Sequence, residues 1–97
     1  MAEVLTAEAV RDELDGLAGW SGDSAGITRT VELASFPDAI AVVDRVAVAA
    51  EELDHHPDID IRWRTVTFRC VTHSIGGVTM RDIRLACRID EIVEGAR

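Results

Sequence analysis

The strongest constraint on this chain is an apolar stripe in its middle that is bounded at both ends. Phe36, Ile40, Val43, Ala47, Ala50 and Leu53 recur at spacings of three and four, the period of a core-facing helix side. Ser35 precedes the stripe as a natural N-cap, Pro37 suits the first turn, and Asp38 lies three residues after the cap. At the other end Pro57 disfavours helical geometry at His56, so the helix must stop near Asp54. Ala39, Val42, Val46 and Ala49 lie away from the main stripe, and such a small-residue face suits close helix packing between subunits.

The flanking segments alternate with this helix. Thr6 to Asp15 reads as a first helix: Thr6 caps it, Glu8 sits where the dipole favours an anion, and Leu5 can staple against Val10. Gly19-Trp20-Ser21 and Ile27–Leu33 are strand candidates, with Ser21–Gly26 as the turn of an antiparallel hairpin. After the central helix, Ile59, Ile61 and Trp63 share one parity, with Trp63 expected in the core. Val66, Phe68 and Cys70 alternate with Thr67, Arg69 and Val71, giving a second hairpin. A last helix, Met80 to Glu94, opens on a Thr79–Asp82 capping box and packs through Leu85, Ile89 and Ile92, with Ile83, Ala86 and Cys87 beside them. The order α-β-β-α-β-β-α predicts an α+β fold, a four-stranded antiparallel sheet with its helices packed on one face. With 97 residues and no linker-like stretch, one domain spanning residues 1–97 is expected.

Charge narrows the function classes. Eighteen acidic residues against ten arginines, with no lysine, give a formal charge of −8, which argues against nucleic acid and against anionic membranes. No apolar run is long enough to span a bilayer, no signal peptide is evident at Met1–Arg11, and two cysteines do not make a disulfide framework. A soluble, cytoplasmic protein is the expectation. Without lysine, Schiff-base chemistry has no amine to use.

The three histidines carry what chemistry the residues suggest. His55 and His56 stand side by side where a helix gives way to extended chain, and His73 ends the last strand before the Gly76-Gly77 loop. Taken alone they admit three readings. Helix-terminal histidines can simply complement the C-terminal dipole, with His73 a surface residue. Three histidines can complete a zinc site, although no recognised zinc spacing is present. They can also serve as an acid–base set, since one imidazole donates a proton near neutrality while another accepts one.

Their spacing within the chain resembles a known signature. Glu51, three residues, His55-His56-Pro57, five residues, Trp63, nine residues, His73, eight residues, Asp82 is similar to the pattern of the pterin-4a-carbinolamine dehydratases. Gly19-Trp20, Phe36, Arg81-Asp82-Ile83 and Leu85-Ala86 extend the resemblance over most of the chain. It implies dehydration of a 4a-hydroxytetrahydropterin to a quinonoid dihydropterin in tetrahydropterin recycling, with no cofactor and no metal. It implies His55, His56 and His73 as the catalytic histidines: His55 and His73 move protons and His56 positions substrate. Asp54, Thr72, His73 and Ser74 match positions lining the pterin site, and Trp20 is expected as an apolar wall or a core aromatic. Glu51 and Asp82 are expected to support the histidines, Asp82 also as a helix cap. The small-residue face of the central helix leads us to expect a homodimer or homotetramer. Relatives that serve as transcription-factor dimerisation cofactors suggest an interaction protein as the alternative, and an enzyme acting on another pterin is a further one. Ser74 and Val71 depart from the residues expected at their positions, which bears on which pterin side chain is preferred.

Overall fold

A computed structural model describes residues 3–96. It contains α1 (Ala7–Asp15), β1 (Trp20–Asp23), β2 (Gly26–Glu32), α2 (Phe36–Leu53), β3 (Asp58–Arg62), β4 (Thr65–Cys70) and α3 (Met80–Gly95). This is the order expected from the sequence. The strands form one antiparallel sheet in the order β1-β2-β4-β3. Register sets the faces: Ile27 pairs with Cys70, Arg29 with Phe68 and Val31 with Val66, and all six are buried. The alternate pairs, Thr28 with Arg69 and Thr30 with Thr67, lie on the opposite, more accessible face.

Local chemistry sets the helix ends. The Thr6 hydroxyl accepts from the Ala9 N–H, and the Ser35 hydroxyl accepts from the Asp38 N–H. Thr79 and Asp82 form the reciprocal capping box expected of them. Leu5 packs against the core that contains Val10.

The orientation of α2 differs from expectation. Ala39, Val42 and Val46 are fully buried and Ala49 is 1% exposed, so the face expected to serve subunit packing is the one that meets the core. Of the expected core-facing stripe, Ala50 is buried, Val43 and Leu53 are partly buried and packed against the core, Ile40 is partly covered, and Phe36 and Ala47 are exposed. The physical reason is that α2 is apolar over most of its circumference, so periodicity alone does not choose a side. The side rich in alanine lets the helix axis come closest to its neighbours and excludes most water from the core.

Three smaller differences have similarly local causes. Trp63 is not in the core: it is 71% exposed, in the two-residue turn between Arg62 and Thr65 that follows edge strand β3, where Ile59 and Ile61 of the same parity are exposed as well. Its backbone is left-handed (φ 54°), and the Arg64 guanidinium lies 4.9 Å from its ring centre. The expected Ser21–Gly26 turn is shorter, since Ser21, Gly22 and Asp23 pair with Thr28, Ile27 and Gly26. Gly22 makes this possible, because a Cβ there would sit 2.2 Å from the Gly26 carbonyl oxygen. Cys87 is exposed rather than beside the core, and its thiol is pushed up by partial burial and by Asp90, Glu91 and Glu13. Burial pushes the Cys70 thiol up further, so neither sulfur is poised as a nucleophile.

The two faces of α2 give a direct test. Val42→Ala should cost about 2 kcal/mol or more in urea unfolding, from lost burial plus a residual cavity. Val48, 62% exposed on the same helix, should tolerate the same change within about 0.5 kcal/mol.

Candidate active site

The site begins where α2 ends. The His55 N–H donates to the Ala50 carbonyl (3.0 Å) and the Asp54 N–H to that of Glu51 (3.2 Å), the paired bonds of a Schellman ending. Asp54 takes the left-handed position of that motif (φ 49°, ψ 45°), where glycine is commoner. One left-handed residue turns the chain sharply, and the consecutive imidazoles separate. The His55 side chain is buried, whereas that of His56 is 55% exposed.

His55 is held by a buried polar network. Its Nε2 lies 2.5 Å from Oδ1 of Asp82, a residue with no exposed surface. The other carboxylate oxygen of Asp82 accepts from the Thr72 hydroxyl (2.8 Å) and the Thr79 N–H (2.8 Å). Because the Thr72 hydroxyl has one proton and gives it to Asp82, the Thr79 hydroxyl must donate to Thr72 across their 2.9 Å contact. The Arg81 N–H donates in turn to the Thr79 oxygen (3.2 Å). Every donor therefore points toward Asp82, whose oxygens act as acceptors. That assigns the proton of the His55–Asp82 contact to Nε2 and leaves Nδ1 as the second functional nitrogen.

The other two histidines have their own carboxylates. His56 Nε2 is hydrogen-bonded to Glu51 Oε2 one helical turn back, with both groups exposed. His73 Nε2 lies 3.4 Å from Asp58 Oδ1 at the start of β3, again with both exposed. Nothing in the sequence reading singled out Asp58. The available signal was an acid immediately after Pro57 on the strand that pairs with β4, whose end leads to His73.

An open cavity of about 240 Å³ collects these parts. Its lining comprises Asp54, His55, His56, Val71, Thr72, His73, Ser74 and Arg81. The structure thus brings together six of the expected site positions from two chain segments that lie at the end of α2 and just beyond β4. Glu51 and Asp82 do not line the cavity but bond the histidines that do. Trp20 is not brought there: its ring is buried and its Nε1 donates to Asp90 on α3 (2.7 Å), beside the Arg29–Asp90 ion pair. Of its two expected roles, core aromatic is the one its position fits. Val71 and Arg81 are the further lining residues, neither of them among the expected site positions.

The loop after β4 shapes the other wall. Thr72 pairs with Gly77, and its carbonyl accepts from Ile75, Gly76 and Gly77, so residues 72–77 form a compact turn presenting His73 and Ser74. Of the imidazoles lining this cavity, His55 is fixed by a buried carboxylate and His73 is accessible to solvent, a pair able to deliver one proton and remove another from a bound molecule.

The chain is similar to known proteins along most of its length. Residues 3–92 match the family model for pterin 4 alpha carbinolamine dehydratase. A protein of Nocardia farcinica, provisionally named pterin-4-alpha-carbinolamine dehydratase, is 58% identical over 90 residues, covering 93% of this chain and 95% of its own. A Mycobacterium sp. (strain KMS) protein with the same provisional name is 52% identical over 91 residues, covering 94% and 97%. The crystal structure of a transcriptional coactivator/pterin dehydratase from Brucella melitensis superposes with a TM-score of 0.89 at 33% identity, covering 93% of this chain and 98% of that one.

The proton assignment predicts a spectroscopic result. Nitrogen-15 spectra of the neutral imidazoles should show His55 almost wholly as the Nε2–H tautomer, and Asp82→Ala should abolish that bias. An Nδ1–H signal for His55 in the unmodified protein would contradict the network.

Proposed function

Since the chain belongs to the pterin 4 alpha carbinolamine dehydratase family, we propose that it dehydrates a 4a-hydroxytetrahydropterin to the quinonoid dihydropterin by histidine acid–base catalysis. The observation that carries this reading is that His55 and His73 line one cavity, with His55 bonded from behind by buried Asp82. The reaction needs a proton delivered and a proton removed, without redox change. Cleavage of the C4a–O bond expels hydroxide, which leaves readily only if it is protonated to water as it departs. The N5 proton is removed, and its electron pair forms the C4a=N5 double bond. Oxygen, hydrogen and charge balance with water as the second product.

In this reading His55 receives the N5 proton at Nδ1, because Asp82 occupies Nε2. His73, solvent-accessible and next to Asp58, gives its proton to the departing hydroxyl; the proton taken up by His55 then passes to solvent and His73 is reprotonated from it, which restores both imidazoles. His56, bonded to Glu51, orients the pterin, and Asp54 and Ser74 border the ring. Tetrahydropterin recycling is the matching role: such a carbinolamine forms when a hydroxylase oxidises its tetrahydropterin. The reading includes a cytoplasmic homodimer or homotetramer whose contact surface lies outside the buried Ala39–Ala49 side of α2. Among the described residues no helix is long and apolar enough to cross a membrane.

A second reading has one support, the printed description of the Brucella melitensis relative as a coactivator as well as a dehydratase. A protein used only for association has no need of two carboxylate-bonded imidazoles at one cavity, which favours catalysis.

Stopped-flow absorbance on freshly generated 4a-hydroxytetrahydropterin separates the readings. The unmodified protein should accelerate water loss, and His55→Ala and His73→Ala should each reduce kcat by about 10²–10⁴-fold. No acceleration over the spontaneous rate by the unmodified protein would overturn the dehydratase reading; full activity in both variants would overturn the residue assignment.

A further inference from the structure

We propose that Arg81 is a positioning residue: through its hydrogen bond to the Asp54 carbonyl it holds the left-handed turn that directs His55 into the cavity. The proposal rests on the dehydratase reading above and adds a residue that this reading does not use.

Arg81 is placed against its local preference. It is the second residue of α3, in the first turn, where the helix dipole favours anions and opposes cations. A residue that violates a local rule needs a compensating gain elsewhere. Here the gain lies across the cleft, at the carboxyl end of α2, where carbonyl groups lack helical partners and a cation is welcome. The Arg81 guanidinium reaches that end and donates to the Asp54 carbonyl oxygen at 2.5 Å.

The bond falls on the one residue whose conformation decides where His55 goes. Asp54 is left-handed despite carrying a Cβ, a region that side chains other than those of Asn and Asp rarely visit. If Asp54 relaxes to an ordinary conformation, the His55 N–H leaves the Ala50 carbonyl and the imidazole leaves Asp82. Arg81 is well placed to prevent this because its two ends serve both determinants of His55. Its backbone N–H feeds the Thr79–Thr72–Asp82 chain that orients the ring, and its side chain pins the turn that carries the backbone. A niche of about 30 Å³ lined by Leu53, His55, Arg81 and Arg84 lies beside the main cavity, and His55 and Arg81 border both spaces.

The test compares Arg81→Gln and Arg81→Lys with the unmodified protein, using the dehydration assay and amide hydrogen exchange at His55. Positioning predicts a fall in kcat of up to about 10²-fold for Arg81→Gln with KM little changed, since misplacement of a catalytic group by about 1 Å has that effect. It also predicts faster exchange of the His55 amide and partial recovery of kcat in millimolar guanidinium. Arg81→Lys, which keeps one donor and the charge, should fall between the two and carries the test if Arg81→Gln does not fold. Raised KM at unchanged kcat would overturn the proposal in favour of direct substrate contact. Unchanged kcat with unchanged His55 exchange would overturn it outright. The exchange measurement needs no substrate, so an inactive unmodified protein would sink the dehydratase reading while the effect of Arg81 on the turn stayed measurable.

Discussion

The contact between His55 and Asp82 is the point on which the site depends. Both residues are taken out of water, and a carboxylate in that position has to be fully hydrogen-bonded. The fold meets that demand from three directions at once: the imidazole from the end of α2, a hydroxyl from beyond β4, and a backbone N–H at the first turn of α3. One carboxylate therefore caps a helix, ties a loop to it and fixes an imidazole. Removing any partner leaves a buried polar group unmet, typically a loss of about 1–3 kcal/mol. Site geometry and local stability are thus consequences of the same bonds.

Around that fixed pair the structure sets a gradient of burial across three carboxylate–imidazole pairs. His55 and Asp82 are enclosed, while His56–Glu51 and His73–Asp58 are open to solvent. Exposed pairs are worth little energetically, so the latter two serve orientation more than stability. The gradient suits a reaction that needs one imidazole held in one tautomer and another that exchanges protons with water. It follows from secondary structure: Asp54 reverses the chain so that His55 turns inward, and the compact turn at residues 72–77 keeps His73 at the rim.

Much of this was legible in the sequence because it was encoded locally. Thr6, Ser35 and Thr79 act on residues within a turn of themselves, Pro57 acts on its immediate neighbour, and the α-β-β-α-β-β-α order follows from such signals. Both roles of Asp82 were expected, the cap from its local spacing and the support of the histidines only through the family resemblance. What escaped depended on distant parts of the chain. Which side of α2 is buried was decided by how closely its alanines approach the core, and the place of Trp63 by a two-residue turn after an edge strand that is itself exposed. Trp20 found its partner, Asp90, 70 residues away, and Asp58 and Arg81 entered the site only because β3 and α3 bring them alongside His73 and Asp54.

The measurement that bears most directly on this account is kcat for dehydration by Asp82→Asn, taken with its melting temperature. The amide oxygen can still accept from Thr72 and Thr79, so the helix cap and the fold survive. The amide nitrogen, however, donates toward His55 and drives the ring proton from Nε2 to Nδ1. The account predicts a near-normal melting temperature and a kcat lowered by about 10²-fold or more, because the nitrogen that should take the substrate proton already holds one. A folded variant with undiminished kcat would contradict it.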